Sequence, residues 1–228
     1  MTANAAGGAA LDERDDTLDA ACRMLLGTRA AVPLTALAAE LGIRLAVVEA
    51  AVAEQEQRGR IGRDAAGAIV ASAGISVVPS GYELRIGDGS ASAARWSGWA
   101  WCAKTALGVL GAVGIGGSTA TRSPASGATV RARFQGAVPS DPQLAVFWPS
   151  TEFRDTCGSA AQEYCPSFSL FESVEAARRW AAAGDVPGEV VPVREATERA
   201  VVRWAASLEL GGRGRALARA LGASAAAL

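Results

Sequence analysis

The sequence contains no histidine, the residue that supplies the usual base of serine, cysteine and zinc hydrolases. Long apolar runs are also missing, because the longest weakly apolar stretch, about residues 105–117, is too short and too rich in glycine to cross a bilayer. Residues 1–4 lack the basic and apolar regions of a secretory signal. We therefore expect a cytoplasmic protein without a membrane partner, whose chemistry does not use imidazole.

Composition and cysteine usage narrow the chemistry further. The formal net charge is −1, so no overall field attracts nucleic acid or anionic lipid, and a hydrophobic fraction of 50% is enough to build a core. The four cysteines, whose irregular spacing suits a reducing cytosol better than a disulfide framework, are Cys22, Cys102, Cys157 and Cys165. Soft thiolates are thus the candidate reactive groups, which points to a soft metal or a carbon–metal bond.

The first part of the chain has the pattern of a winged helix. Residues 1–14 are small and polar and predict disorder, whereas residues 15–26 place apolar side chains, with Cys22 among them, on one helical face. A helix, a glycine turn and a second helix follow, and the alternation over residues 61–86 predicts a small β-ribbon. We interpret residues 15–87 as a winged-helix-like domain.

DNA binding is the obvious function of such a domain, but its second helix is acidic. Glu49, Glu54 and Glu56 lie along that helix, and arginines occur only at its end. A recognition helix needs positive charge to meet phosphates. We therefore do not expect nucleic acid as a partner and favour a module that packs on the following domain. A metal-responsive transcription factor stays open as an alternative.

A glycine- and serine-rich stretch at residues 87–94 predicts a linker to a second domain at residues 95–210, with a frayed tail at 211–228. In the second domain, Ser97 is a candidate N-cap for a helix that reaches about Val113. The predicted strands are at about 119–123, 129–134, 144–148, 167–171 and 190–193, with helices at about 172–183 and 194–208, and residues 114–117 predict a helix stop.

Cys102 and Thr105 lie on this predicted helix. Near its first turns, the helix dipole and unpaired amides stabilise a thiolate, which makes Cys102 a better ligand or nucleophile. Thr105, three positions later, shares its face. Trp99 and Trp101 precede the cysteine closely in sequence, and we expect the side chain of at least one of them to line a site there and exclude water.

From about residue 95 to 205 the sequence resembles the organomercurial (alkylmercury) lyases. The similarity consists of Trp101-Cys102-Ala103, its spacing to Ser126-Gly127, the single cysteine before a phenylalanine-rich strand at residues 165–171, and the helix from Ser173 to Trp180. The resemblance implies an α+β fold, in which a winged-helix-like N-terminal domain precedes a domain of mixed sheet and helices.

The resemblance also implies roles for individual residues. In that family two cysteines and an aspartate break a carbon–mercury bond by protonolysis; the cysteines correspond to Cys102 and Cys165, and Thr105 occupies the position of the aspartate. A further family cysteine, more structural than catalytic, corresponds to Ser123. No cofactor is required. The substrate is a small organometallic compound, and its cleavage yields Hg(II), which is transferred to small-molecule or protein thiols.

The threonine leaves the proton donor open, since a hydroxyl is a far poorer acid than a carboxyl group. A water held by Thr105, the thiol proton of the second cysteine, or a carboxyl group could replace it; the candidate carboxyl groups are Glu152, Asp155 and Glu163. A competing hypothesis keeps the fold without lyase activity. The chain would then bind Hg(II) or Cu(I) through Cys102, Cys165 and Cys157, or catalyse a different reaction.

Overall fold

The computed structural model of the protein describes residues 6–87, 94–150 and 159–209. The helices are α1 (Ala6–Thr28), α2 (Leu34–Leu41), α3 (Leu45–Gln57), α4 (Ala103–Val113), α5 (Val174–Gly184) and α6 (Val193–Glu209). The strands are β1 (Ile61–Arg63), β2 (Ile69–Ser72), β3 (Ile75–Ser76), β4 (Tyr82–Gly87), β5 (Ala94–Ala100), β6 (Gly117–Arg122), β7 (Thr129–Gln135), β8 (Val138–Pro139), β9 (Ala145–Pro149), β10 (Ser169–Phe171) and β11 (Gly188–Pro192). The mixed α+β class is confirmed. None of the helices in these ranges has the length and apolarity needed to cross a membrane.

The three N-terminal helices pack around a core of their own. Leu18, Leu37 and Val48, one from each helix, are fully buried together. The turn between α2 and α3 is made by Gly42, whose φ of +68° is in the left-handed region that favours glycine. Helix α1 begins at Ala6, within the segment 1–14 that we predicted to be disordered; residues 9–14 are mostly good helix formers.

A single antiparallel sheet connects the two halves of the chain. Its order is β1-β2-β3-β5-β4-β6-β7-β8, and a smaller sheet has the order β10-β9-β11. Strands β4 and β5 are neighbours, with Tyr82 opposite Ala100. The predicted linker therefore falls between two adjacent strands of one sheet. The prediction of Ser97 as a helix cap is wrong, because Trp96 and Gly98 are buried on either side of the exposed Ser97, as in a strand.

Helix α4 lies between the large sheet and α6, and almost every residue of it is buried. Two glycines allow α6 to approach closely. A Cβ atom on Gly108 would lie 2.3 Å from Cδ1 of Trp204, and one on Gly111 would lie 2.5 Å from Cγ2 of Val201. The helix ends at Gly114, with φ +70°, as the glycine-rich stretch predicted. This packing fixes the start of α4, where Cys102 lies.

The smaller sheet positions the second cysteine. Helix α5 covers this sheet, and Trp180 on α5 packs against Phe147 of β9 and Phe171 of β10, with ring centroids 5.3 Å apart in both pairs. Ser173 caps α5 by accepting a hydrogen bond from the amide of Ala176. Strand β10 is thereby held at the end of the segment that contains Cys165.

Replacing Gly117 by alanine tests how tightly α4 is packed on the sheet. Gly117 has φ +142°, and an added Cβ would lie 2.2 Å from the Arg85 carbonyl oxygen and 2.8 Å from Leu110. Gly127 is also left-handed, with φ +71°, but has open space around it. We expect Gly117→Ala to lower the free energy of unfolding by about 3 kcal/mol and Gly127→Ala by about 1 kcal/mol in urea denaturation. Equal losses would contradict this account of the packing.

Candidate active site

Cys102 is the N-cap residue of α4, two residues after the end of strand β5. Its backbone is extended, with φ −152° and ψ 169°, and its amide and side chain precede the first helical turn. The sequence placed Cys102 near a helix start, although the helix begins at Ala103 and not after Ser97. At this position the sulfur faces the positive end of the helix dipole, which favours a thiolate.

Cys165 begins a 3₁₀ turn, Cys165–Ser167, that follows a single π-helical turn at Ala160–Tyr164. One hydrogen bond closes this turn and a second joins it to α4. The amide of Phe168 donates to the Cys165 carbonyl at 3.0 Å, and the amide of Ala103 donates to the Phe168 carbonyl at 3.1 Å. The residue next to Cys102 is thus bonded directly to the turn of Cys165.

A buried tyrosine from the large sheet reinforces this connection. The hydroxyl group of Tyr82 donates to the Phe168 carbonyl at 3.3 Å and accepts from the amide of Leu170 at 3.1 Å. Because Tyr82 is on β4, the turn that contains Cys165 is fixed to the same sheet that positions Cys102.

The two cysteines meet in one buried cluster with Phe168. Cys102 is 2% exposed and Cys165 is 8% exposed, and neither forms a disulfide. Three large side chains pack around the cluster: Trp101, Trp148 and Tyr164. The structure therefore brings together two sulfurs that are far apart in sequence and shields them from water.

Thr105 also belongs to this site. Its Oγ1 lies 3.5 Å from the sulfur of Cys102, within hydrogen-bonding distance. The turn between β2 and β3 presses against the same hydroxyl group, since a Cβ atom on Gly74 would lie 2.6 Å from Thr105 Oγ1. The hydroxyl group is thus held beside Cys102 by an element of the N-terminal half.

Lys104 is a site residue that the sequence analysis did not assign. Its Nζ donates to the hydroxyl group of Tyr164 at 3.3 Å and lies 5.0 Å from the ring centroid of Phe168 and 5.5 Å from those of Trp148 and Tyr164. Lys104 is the only lysine in the chain, and every other basic side chain is an arginine. That contrast was visible in the sequence and could have identified it.

The two thiols differ in acidity. Burial opposes ionisation of Cys102, but hydrogen bonding from Cys165 and Thr105 and the charge of Lys104 hold its pKa at about 7. Hydrogen bonding to Cys102, burial and the negative charge on Cys102 raise the pKa of Cys165 far above its ordinary value. Cys102 is therefore the thiol that ionises as the pH rises through neutrality, and Cys165 keeps its proton. Cys22 lies in the core as predicted, and burial raises the pKa of that thiol.

A cavity of about 180 Å³ opens onto both cysteines. Its walls come from several elements: Leu18, Arg60 and Ala73 from the N-terminal half, Trp101 and Lys104 beside Cys102, and Arg203 and Trp204 from α6. Trp101, but not Trp99, lines it. The N-terminal half therefore forms part of the site itself.

The other predicted site residues are placed elsewhere. Cys157, Glu152 and Asp155 lie outside the described residues, so their roles stay predictions. Glu163 is exposed and lines a separate surface groove. Ser123 lies at the β6–β7 turn, away from the cavity walls. No group of three or more histidine, cysteine, aspartate or glutamate side chains within the described ranges could hold a metal ion.

The coupled ionisation of Cys102 and Cys165 predicts how the reaction of Cys102 with iodoacetamide depends on pH. The alkylation rate should rise with pH, reach half of its maximum at about pH 7 and level off at higher pH, since only the thiolate reacts. Cys165→Ala removes a hydrogen-bond donor and should move the midpoint at Cys102 to higher pH. Peptide mass spectrometry after timed labelling identifies each cysteine, with the buried Cys22 as the unreactive internal control. A midpoint that is unchanged in Cys165→Ala would contradict the coupling.

Comparison with known proteins identifies the family. The alkylmercury lyase (MerB) family matches residues 76–205, more than half of the chain. The structure is similar to the crystal structure of the mercury-bound form of MerB2, with a TM-score of 0.67 and 21% identity, over 81% of this chain and 86% of that one. Curated protein sequences include no significant match. On the extent of the family match, the chain belongs to the alkylmercury lyase family.

Proposed function

We propose that the protein is an organomercurial lyase, which cleaves a carbon–mercury bond between Cys102 and Cys165. The observation that supports this most is the meeting of two buried sulfurs, one favoured as a thiolate and the other as a thiol. Mercury is a soft metal that prefers thiolate ligands. The similar MerB2 structure is a mercury-bound form, which agrees with a mercury compound as the substrate.

In the proposed reaction, the Cys102 thiolate first displaces the anion that accompanies the organomercury cation, forming a sulfur–mercury bond. Cys165 then transfers its proton to the carbon bound to mercury. The electron pair of the carbon–mercury bond becomes the new carbon–hydrogen bond, and the hydrocarbon leaves. The sulfur of Cys165, now a thiolate, takes the vacated position on mercury. External thiols then remove Hg(II) by thiolate exchange.

The geometry suits Cys165 as the proton source in place of the absent aspartate. Its raised pKa keeps Cys165 protonated before substrate binds; mercury on Cys102 then removes the negative charge that helps to raise this pKa, so the thiol becomes a better acid. Thr105 contributes differently: its hydroxyl group, 3.5 Å from the Cys102 sulfur, can donate a hydrogen bond to the thiolate. Among the alternatives from the sequence, Glu163 is exposed and lines the separate groove, not this cavity, so we do not assign it as the proton source.

A soft-metal binder without lyase activity is the second candidate function. Thr105 favours it, since no carboxyl group is present at that position. Two thiolates suit linear Hg(II) or Cu(I), and Cys157 would complete a trigonal site. Release of benzene from phenylmercury distinguishes the two functions, because a binder retains the intact compound.

Replacing either cysteine by serine should abolish turnover of phenylmercury, because a hydroxyl group neither binds mercury strongly nor provides the thiolate that takes the place of carbon. We expect benzene release, followed by gas chromatography, to fall to background in Cys102→Ser and Cys165→Ser. Cys22→Ser, at a buried cysteine outside the cavity, is the matched control. Turnover that persists in either site variant would eliminate the mechanism.

Thr105→Asp should raise turnover about tenfold or more, since a carboxyl group beside Cys102 adds a general acid. Thr105→Asn, which has a similar size but cannot donate an acidic proton, separates acidity from shape. The comparison is made under single-turnover conditions with excess enzyme. If Asn raised the rate as much as Asp, acidity would not be the cause.

A further inference from the structure

The cavity beside the cysteines is bordered by positive charge. Arg60, Lys104 and Arg203 line it from three separate parts of the fold, and no aspartate or glutamate is among the described residues that do so. Stabilising the Cys102 thiolate accounts for Lys104 but not for the arginines. The charges therefore indicate a further property of the substrate.

Asp19 contacts one of these cations, Arg203, but does not occupy all of its donors. Its Oδ1 is 3.7 Å from Nη2 of Arg203, and its side chain is only 6% exposed, whereas that of Arg203 is 47% exposed. A guanidinium group has five N–H donors, so contact with one carboxylate oxygen leaves donors for a ligand.

Lys104 can likewise serve a ligand while it contacts its neighbours. An ammonium group has three N–H donors, and the hydroxyl group of Tyr164 accepts one of them. The rings of Trp148 and Phe168 hold the Nζ in place through cation–π contacts. These contacts hold the ammonium group of Lys104 in one position.

We infer that this cavity selects mercury compounds that contain a carboxylate, which Arg203 and Lys104 bind while mercury meets the cysteines. The inference rests on the proposed function and specifies its substrate class. The carboxylate can belong to the organic group, as in a carboxyphenylmercury compound, or to the thiol that accompanies mercury into the site.

The size and walls of the cavity suit a small aromatic acid. Its volume is about 180 Å³, and an apolar cavity of about 150 Å³ is enough to hold benzene. Trp101, Tyr164 and Trp204 line the same cavity as the cysteines and the cations and provide it with aromatic surface. A benzoate-sized group therefore has both an apolar wall for its ring and donors for its charge.

The test compares matched mercury compounds that differ in one charge. 4-Carboxyphenylmercury and its neutral amide, 4-carbamoylphenylmercury, are supplied with 2-mercaptoethanol to test the organic group. Phenylmercury supplied with 3-mercaptopropionate or with its amide tests the thiol. We expect the wild-type kcat/KM to favour the carboxylate about tenfold in at least one arm, as for one charge-assisted hydrogen bond. A ratio within twofold of one in both arms would overturn the inference.

Substitutions of Arg203 and Lys104 test whether these two cations cause the preference for the carboxylate. Arg203→Gln and Lys104→Met should bring the carboxylate-to-amide ratio near one, and Arg203→Lys and Lys104→Arg should keep most of it. The ratio cancels any general effect of Lys104 on the reactivity of Cys102. Arg131→Gln, an exposed cation on β7 outside the cavity, should leave the ratio unchanged. A ratio that persists in both neutral variants would overturn the assignment.

A binding measurement separates this inference from the proposed function. Benzoate should protect Cys102 from iodoacetamide at about tenfold lower concentration than benzamide, whether or not any mercury compound is cleaved. Protection by benzoate without any carbon–mercury cleavage would refute the lyase and support the carboxylate site. Equal protection by the two compounds, alongside normal cleavage, would refute the carboxylate site and leave the lyase intact.

Discussion

The site depends on the hydrogen bonds that join its two cysteine-containing segments. The amide of Ala103 donates to the carbonyl of Phe168, and so joins the residue after Cys102 to the turn that begins at Cys165. The hydroxyl group of Tyr82 donates to the same carbonyl from the large sheet. These bonds fix the start of α4, where Cys102 lies, relative to the 3₁₀ turn that begins at Cys165. Both sulfurs are therefore buried side by side before any ligand arrives, which reduces the entropic cost of binding a metal between them.

The close approach of two thiols also decides their protonation. A second thiolate beside the first is unfavourable in a buried place, so one proton stays with the pair. The helix start, Thr105 and Lys104 all favour the charge on Cys102, and the proton therefore remains on Cys165. In the proposed mechanism, Cys102 therefore binds mercury as the thiolate and Cys165 supplies the proton, although no carboxyl group is present at position 105.

The sequence predicted much of the local structure and little of the long-range arrangement. The alternation in residues 129–134 predicted β7, and the glycine at 114 predicted the end of α4, because both are local patterns. The strand at Ala94–Ala100 was missed, since its identity depends on pairing with β4. Cys102 and Cys165 were paired only through the family resemblance, as nothing local indicates that they meet.

The residues that line the cavity also could not be predicted from local sequence patterns. Arg60, Ala73 and Arg203 reach the site from elements that lie far from Cys102 in sequence, and only the fold reveals them. The hydrogen bonds from the amides of Ala160 and Ala161 to the carbonyls of Arg58 and Gly59 tie the Cys165 segment to the N-terminal half. That half was expected to cover the second domain. In the structure it supports and lines the site.

The central claim is that Cys102 and Cys165 together replace carbon on mercury. Its most direct test is to mix the reduced protein with an equal amount of phenylmercury, measure benzene in the headspace, and locate mercury by native and peptide mass spectrometry. The account predicts one benzene per protein and one mercury ion bridging the Cys102 and Cys165 peptides. Mercury held with its phenyl group intact, or bound without Cys165, would contradict it.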